Sequence, residues 1–132
     1  PCALVFDDPV RLVYQRRLVL RPTLRDISLR VFERLLGLAP DAERAAAWRG
    51  EWKEAVLAAA AEARAGRDEW EPVNLLRYSG RQASDVELNG VAGALELPEG
   101  PGPVWPLLSA AQWIHAGKGT VVGMGRLRVA PL

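Results

Sequence analysis

Cysteine, histidine and methionine each occur once in this chain of 132 residues, as Cys2, His115 and Met124, and phenylalanine and tyrosine occur twice each. A single cysteine excludes an internal disulfide. One histidine and one cysteine at opposite ends of the sequence leave only scattered carboxylates, too little for a metal cluster built on nitrogen or sulfur. No Ser-His-Asp or Cys-His spacing is present, so a hydrolase with a covalent intermediate is not expected. Long apolar runs are missing too, which removes a membrane-spanning helix and a signal sequence and makes the cytoplasm the default. The net charge is only +1, so any contact with a polyanion must be local. Lysine is confined to Lys53 and Lys118 and the other basic residues are arginines. Abundant Arg, Ala, Gly and Pro together match a GC-rich coding sequence, which lowers the weight of arginine number alone.

What the chain does have is a glycine-studded tail, Gly117-Lys118-Gly119-Thr120-Val121-Val122-Gly123-Met124-Gly125-Arg126-Leu127-Arg128. Glycine lets backbone amides approach a ligand closely and takes positive φ freely, so such a stretch with its cations reads as an anion-binding loop. It lacks the spacing and the Lys-Ser/Thr ending of a nucleotide P-loop, and no strand–loop–helix context supports a dinucleotide fingerprint. A loop leading into a last strand remains. Period-two alternation sets Arg126 and Arg128 on one face of that strand and Leu127 and Val129 on the other. The expected binding residues are Gly117, Lys118, Gly119, Gly123, Gly125, Arg126 and Arg128. A glycine-rich hairpin that only turns is the competing reading.

Residues 3–20 read as strand pieces around a turn at Asp7-Asp8-Pro9. Thr23 caps a helix whose apolar stripe is Leu24, Ile27, Val31, Leu35 and Leu38, with Asp26 paired to Arg30 on the solvated face. A helical stretch starts at Pro40-Asp41, passes Trp48 and Trp52 with an interruption at Gly50, and ends at Gly66; its tryptophans read as core anchors. Strands are predicted over 73–82 and 86–97 with a turn at Ala83-Ser84-Asp85. A helix over 104–116 follows, capped by Gly117, and then the last strand. The order is α+β, a ferredoxin-like βαββαβ fold, with residues 40–70 as a helical insertion between the first helix and the second strand. Residues 1–132 form one domain. The aromatic motifs of RNA-recognition modules are missing from its central strands.

The block Leu107-Leu108-Ser109-Ala110-Ala111-Gln112-Trp113-Ile114-His115-Ala116-Gly117-Lys118-Gly119, continuing to Arg126, resembles the C-terminal signature of CRISPR-associated RAMP proteins of the branch that processes precursor crRNA. Asp8-Pro9-Val10-Arg11-Leu12 is similar to the family's opening strand, and Arg77 to Gln82 with Gly90 to Gly93 to its mid-domain hairpin. The resemblance implies an endoribonuclease that needs no metal or other cofactor, made of two tandem ferredoxin-like domains of which this is the second. The partners it implies are CRISPR repeat RNA, an N-terminal domain preceding Pro1, and other CRISPR-associated subunits. Catalytic groups are then expected mainly outside this chain. His115 carries two readings, a general base towards a ribose 2′-OH or a residue that caps the end of its helix and orients the loop. Two other functions stay open: a non-catalytic RNA-holding scaffold of a CRISPR ribonucleoprotein, and a ferredoxin-like sensor of an anionic metabolite.

Overall fold

A computed structural model describes residues 1–79, 84–118 and 124–132. Its elements are β1 (Cys2–Val10), β2 (Val13–Tyr14), β3 (Arg17–Leu18), α1 (Leu24–Gly37), α2 (Ala42–Ala47), α3 (Lys53–Glu62), β4 (Asp68–Ser79), β5 (Ser84–Leu97), α4 (Trp105–Ile114) and β6 (Arg128–Pro131). Four strands form one sheet in the order β4-β5-β1-β6, every neighbouring pair antiparallel. With α1 after β1 and α4 before β6, this is the ferredoxin-like arrangement that the sequence predicts. The pair β2 and β3 forms a separate hairpin between β1 and α1.

Local chemistry explains the elements, and also where they depart from expectation. Thr23 caps α1 through a complete box: the Asp26 amide donates to Thr23 Oγ1 at 3.2 Å and the Thr23 amide to Asp26 Oδ2 at 3.0 Å. Such a box is worth about 1 kcal/mol. It also occupies Asp26, so the expected partner of Arg30 is replaced by Glu33, 2.9 Å away. Asp7-Asp8-Pro9 is not a turn between two strands. The register passes from Phe6 opposite Gly93 to Val10 opposite Val91, so these three residues form a bulge inside a single β1. Proline has no amide to give the ladder, which suits it to a bulge.

Strand β4 starts at Asp68, ahead of the expected 73, and contains Pro72. Its place at the sheet edge tolerates that proline. Ser84 and Asp85, expected in the turn, are strand residues opposite Ser79 and Tyr78; residue 83 lies outside the described residues. Helix α4 ends at Ile114, not at residue 116, and His115 with φ +67° takes the position expected of Gly117. Strand β6 begins at Arg128, so Arg126 and Leu127 precede it.

One face of the sheet carries the core. Leu4, Phe6, Val91, Leu95 and Leu97 meet Ile27, Val31 and Phe32 of α1 and Leu107, Leu108 and Ala111 of α4. Leu38, expected on the apolar stripe of α1, is instead exposed beyond the helix end. Between α1 and β4 the helical stretch is broken at Gly50, whose ψ of −134° is not helical, and α3 ends at Glu62, short of Gly66. Trp48 and Trp52 are half-buried against the core, and the Trp52 ring lies 5.0 Å from that of Phe32.

Candidate nucleic-acid interface

The glycine tail is fastened to β1 at both of its described ends. The Lys118 amide donates to Arg11 O at 2.9 Å, the Gly125 amide donates to Pro9 O at 2.8 Å, and the Ala116 amide donates to Gly125 O at 2.9 Å. The bulge at residues 7–9 thus leaves a carbonyl for the tail to bind. Gly117 and Gly125 have φ of +76° and +77°. A Cβ on Gly117 would strike Arg11 O, and one on Gly125 would strike Ala116 O. These two glycines are required by backbone packing, and the amides of Lys118 and Gly125 are satisfied internally instead of bare. Gly119 and Gly123 lie outside the described residues.

What the fastening creates is a cleft of about 210 Å³ lined by Arg11, Val13, Arg30, Glu33, Arg34, Gly117 and Lys118. Four cations face one carboxylate there. Arg11 Nη1 donates to Asn89 O at 2.9 Å, Arg30 Nη2 to Val13 O at 2.6 Å, and Arg34 Nε to Ile114 O at 2.8 Å. A carbonyl orients a guanidinium without neutralising it, so the charges of Arg11 and Arg34 stay available to an anion, while Arg30 is shared with Glu33. Arg34 also sits at the C-terminal end of α4, where the helix dipole favours a cation. Lys118 is exposed and its ammonium has no side-chain partner among the described residues.

The other two expected residues lie elsewhere. Arg126 and Arg128 line a hollow of about 310 Å³ with Asp7, Asp8, Gln112 and Leu127. Arg128 Nε donates to Asp7 Oδ2 at 3.1 Å. Leu127 is buried and both arginines are exposed, so the expected alternation of faces holds although the strand starts later. The structure therefore divides the sequence-derived set: Gly117 and Lys118 reach the basic cleft, Arg126 and Arg128 a hollow of mixed sign. His115 lies past the end of α4 with Nδ1 3.3 Å from Met124 O, and it is not among the residues that line the cleft. Because a carbonyl only accepts, Nδ1 is the donor in that contact. Among the described residues no three of His, Cys, Asp and Glu gather as metal ligands, and no helix is long and apolar enough to cross a membrane.

Sequence reasoning missed Arg11, Arg30 and Arg34. The signal was present in two cations four residues apart on α1, flanking its apolar stripe, a spacing at which like charges repel unless something separates them.

Residues 4–127 match the family described as CRISPR-associated endoribonuclease Cas6. The chain belongs to the Cas6 family. Its fold is similar to that of Thermus thermophilus Cas6, with a TM-score of 0.66 at 15% identity over 99% of this chain and 52% of that one. A Cas6 product complex gives 0.57 at 22% identity, over 98% of this chain and 52% of that one. A partial Cas6-RT-Cas1–Cas2 complex gives 0.57 at 14% identity, over 97% and 22%. At such identities the likeness to these Cas6 structures is one of fold, and the chain spans about half the length of the first two. No curated protein sequence matches it.

Proposed function

We propose that this chain is the C-terminal RNA-binding half of a CRISPR-associated endoribonuclease that processes precursor crRNA in the cytoplasm, and that it holds the phosphates of the repeat RNA in the cleft between β1, α1 and the start of the glycine tail. The cleft carries the reading. Arg11, Arg30, Arg34 and Lys118 converge there from three separate stretches of sequence, and the three arginines are aimed by backbone carbonyls. Preorganised guanidiniums suit phosphate because their donors are fixed in a planar fork. Solved Cas6 neighbours include a product complex and a substrate-mimic complex, which supports RNA as the partner of this fold.

The chain supplies binding, and the acid–base groups for cleavage of the RNA come mainly from a preceding domain, since the one histidine lies off the cleft. Gly117 and Lys118 are the glycine-tail residues we place at the RNA; Gly125 holds the tail against Ala116 and Pro9. Arg126 and Arg128 lie in the separate hollow beside Gln112, and whatever RNA they meet there is shared with Asp7 and Asp8.

The test is the salt dependence of binding. Contact with four phosphates gives single-stranded RNA a log–log slope of roughly −3 for affinity against salt. Replacing Arg34 by Gln and Lys118 by Ala together shrinks that slope by about 1.4. An unchanged slope in the double variant removes the cleft as the RNA site. Cleavage of labelled repeat RNA in EDTA by the parent protein, with binding but no cleavage by this chain, tests the division of labour.

A further inference from the structure

The hairpin β2–β3 takes no part in the four-stranded sheet and gives the cleft only Val13, yet its chemistry is one-sided. Between Asp8 and Asp26 the sequence has Arg11, Arg16, Arg17, Arg21 and Arg25 and no acidic residue. Val13 and Leu18 face each other half-buried, whereas Tyr14 and Arg17 face each other in solvent, Tyr14 at 59% exposure. The turn is Gln15-Arg16 with φ of +49° and +66°. Glycine or asparagine suits such a turn with less strain, so the arginine stands there against local preference.

The hairpin is also joined to the cleft. Arg30 Nη2 holds Val13 O at 2.6 Å, and Arg30 lines both the basic cleft and a second hollow of about 260 Å³ shared with Tyr14, Arg25 and Asp26, whose carboxylate is held in the cap of α1. A phosphate chain leaving Lys118 and Arg30 thus meets an exposed aromatic ring flanked by Arg16 and Arg17, which have no acidic partner among the described residues; Arg21 of the same stretch is paired with Asp68. Groups of this kind bind single-stranded nucleic acid, the ring stacking a base and the cations following the backbone.

We propose that this hairpin is a second RNA-contacting element, in which Tyr14 stacks on an unpaired base of the strand that leaves the cleft and Arg16 and Arg17 hold the flanking phosphates. The proposal rests on RNA binding in the cleft and extends it to a new site.

The test is fluorescence anisotropy of the 132-residue chain with fluorescein-labelled oligouridylate. Tyr14→Ala is expected to weaken binding about tenfold and Tyr14→Phe to keep it, because the ring and not the hydroxyl stacks. Arg16→Gln with Arg17→Gln is expected to shrink the salt slope by about 1.4. All three variants change exposed side chains, and their melting curves should overlay that of the parent. If Tyr14→Ala and the arginine pair bind as the parent does while Arg34→Gln with Lys118→Ala binds weakly, the hairpin is idle and the proposal is overturned with the cleft intact. If Tyr14→Phe loses as much as Tyr14→Ala, stacking is wrong. If the cleft variant also binds normally, both readings fall together.

Discussion

Two sets of arginines in this chain are treated in opposite ways. On the cleft side Arg11, Arg30 and Arg34 donate to the carbonyls of Asn89, Val13 and Ile114, and only Arg30 also meets a carboxylate. Elsewhere Arg21 is bound to Asp68, Arg67 to Glu69 and Arg128 to Asp7. A carboxylate cancels the charge it holds, and a carbonyl only points it. A chain with a net charge of +1 can therefore present a strong local site for anions, because Glu33 alone of its acids lines that cleft among the described residues. Total charge is a poor guide to such a site. The partner that each guanidinium keeps is a better one.

The largest effect on this contrast is expected where the tail is fastened. Gly125→Ala forces a Cβ into Ala116 O at a φ of +77°. A side chain in that conformation costs roughly 1–3 kcal/mol before the clash is counted, so urea denaturation should show a loss of about 3 kcal/mol or more. RNA affinity should fall with it, since Lys118 loses its anchored position. Second comes the cleft itself: Arg34→Gln with Lys118→Ala should weaken RNA binding by about tenfold at low salt, and much less at high salt, where each released counterion contributes less free energy. Third, Arg34→Ala alone should lower thermal stability by about 0.3–1 kcal/mol, because α4 loses the cation at its C-terminus.

The opposite set should respond weakly. Arg128→Ala removes an exposed ion pair and is expected to change stability by less than about 0.5 kcal/mol. Its effect on RNA binding should be small for as long as Asp7 is present. Asp7→Asn inverts the case: it releases Arg128 from its carboxylate and should raise RNA affinity slightly, with a salt slope steeper by up to ~0.7. If Arg128→Ala weakens binding as much as the cleft variant does, the distinction between pointed and cancelled arginines does not describe this surface.

These expectations show which parts of the molecule sequence can disclose. The order of strands and helices was legible because α1 carries a sustained apolar period and a capping box, and because the glycine and proline clusters fall between elements. The bulge at Asp7-Asp8-Pro9 was not, because a break in one strand and a turn between two strands use the same residues; the register with Gly93 and Val91 distinguishes them. At the candidate site, Lys118 stood out beside glycines, but the backbone contacts of Gly117 and Gly125 with Arg11 and Ala116, a second demand for glycine there, did not. Arg11 and Arg34 were hidden because their partners are the carbonyls of residues 78 and 80 positions away. No local pattern encodes such a pairing.

A third treatment of charge, exclusion, appears at Cys2, and it gives the smallest prediction. The thiol is buried in the core, and that burial raises its pKa above the ordinary value of 9.0, the nearby amino terminus acting in the opposite sense. In the window between the unfolded and folded values the native state holds a proton that the unfolded state has released, so stability falls as pH rises. Below that window the group contributes no pH dependence. Denaturation midpoints should accordingly decline from about pH 9.0 upward in the parent and decline less in Cys2→Ala, once the constant cost of the substitution is subtracted. Identical slopes for the two proteins would mean that the thiolate meets no penalty in the core. Charge in this fold would then be managed by its partners alone, as it is for the two sets of arginines.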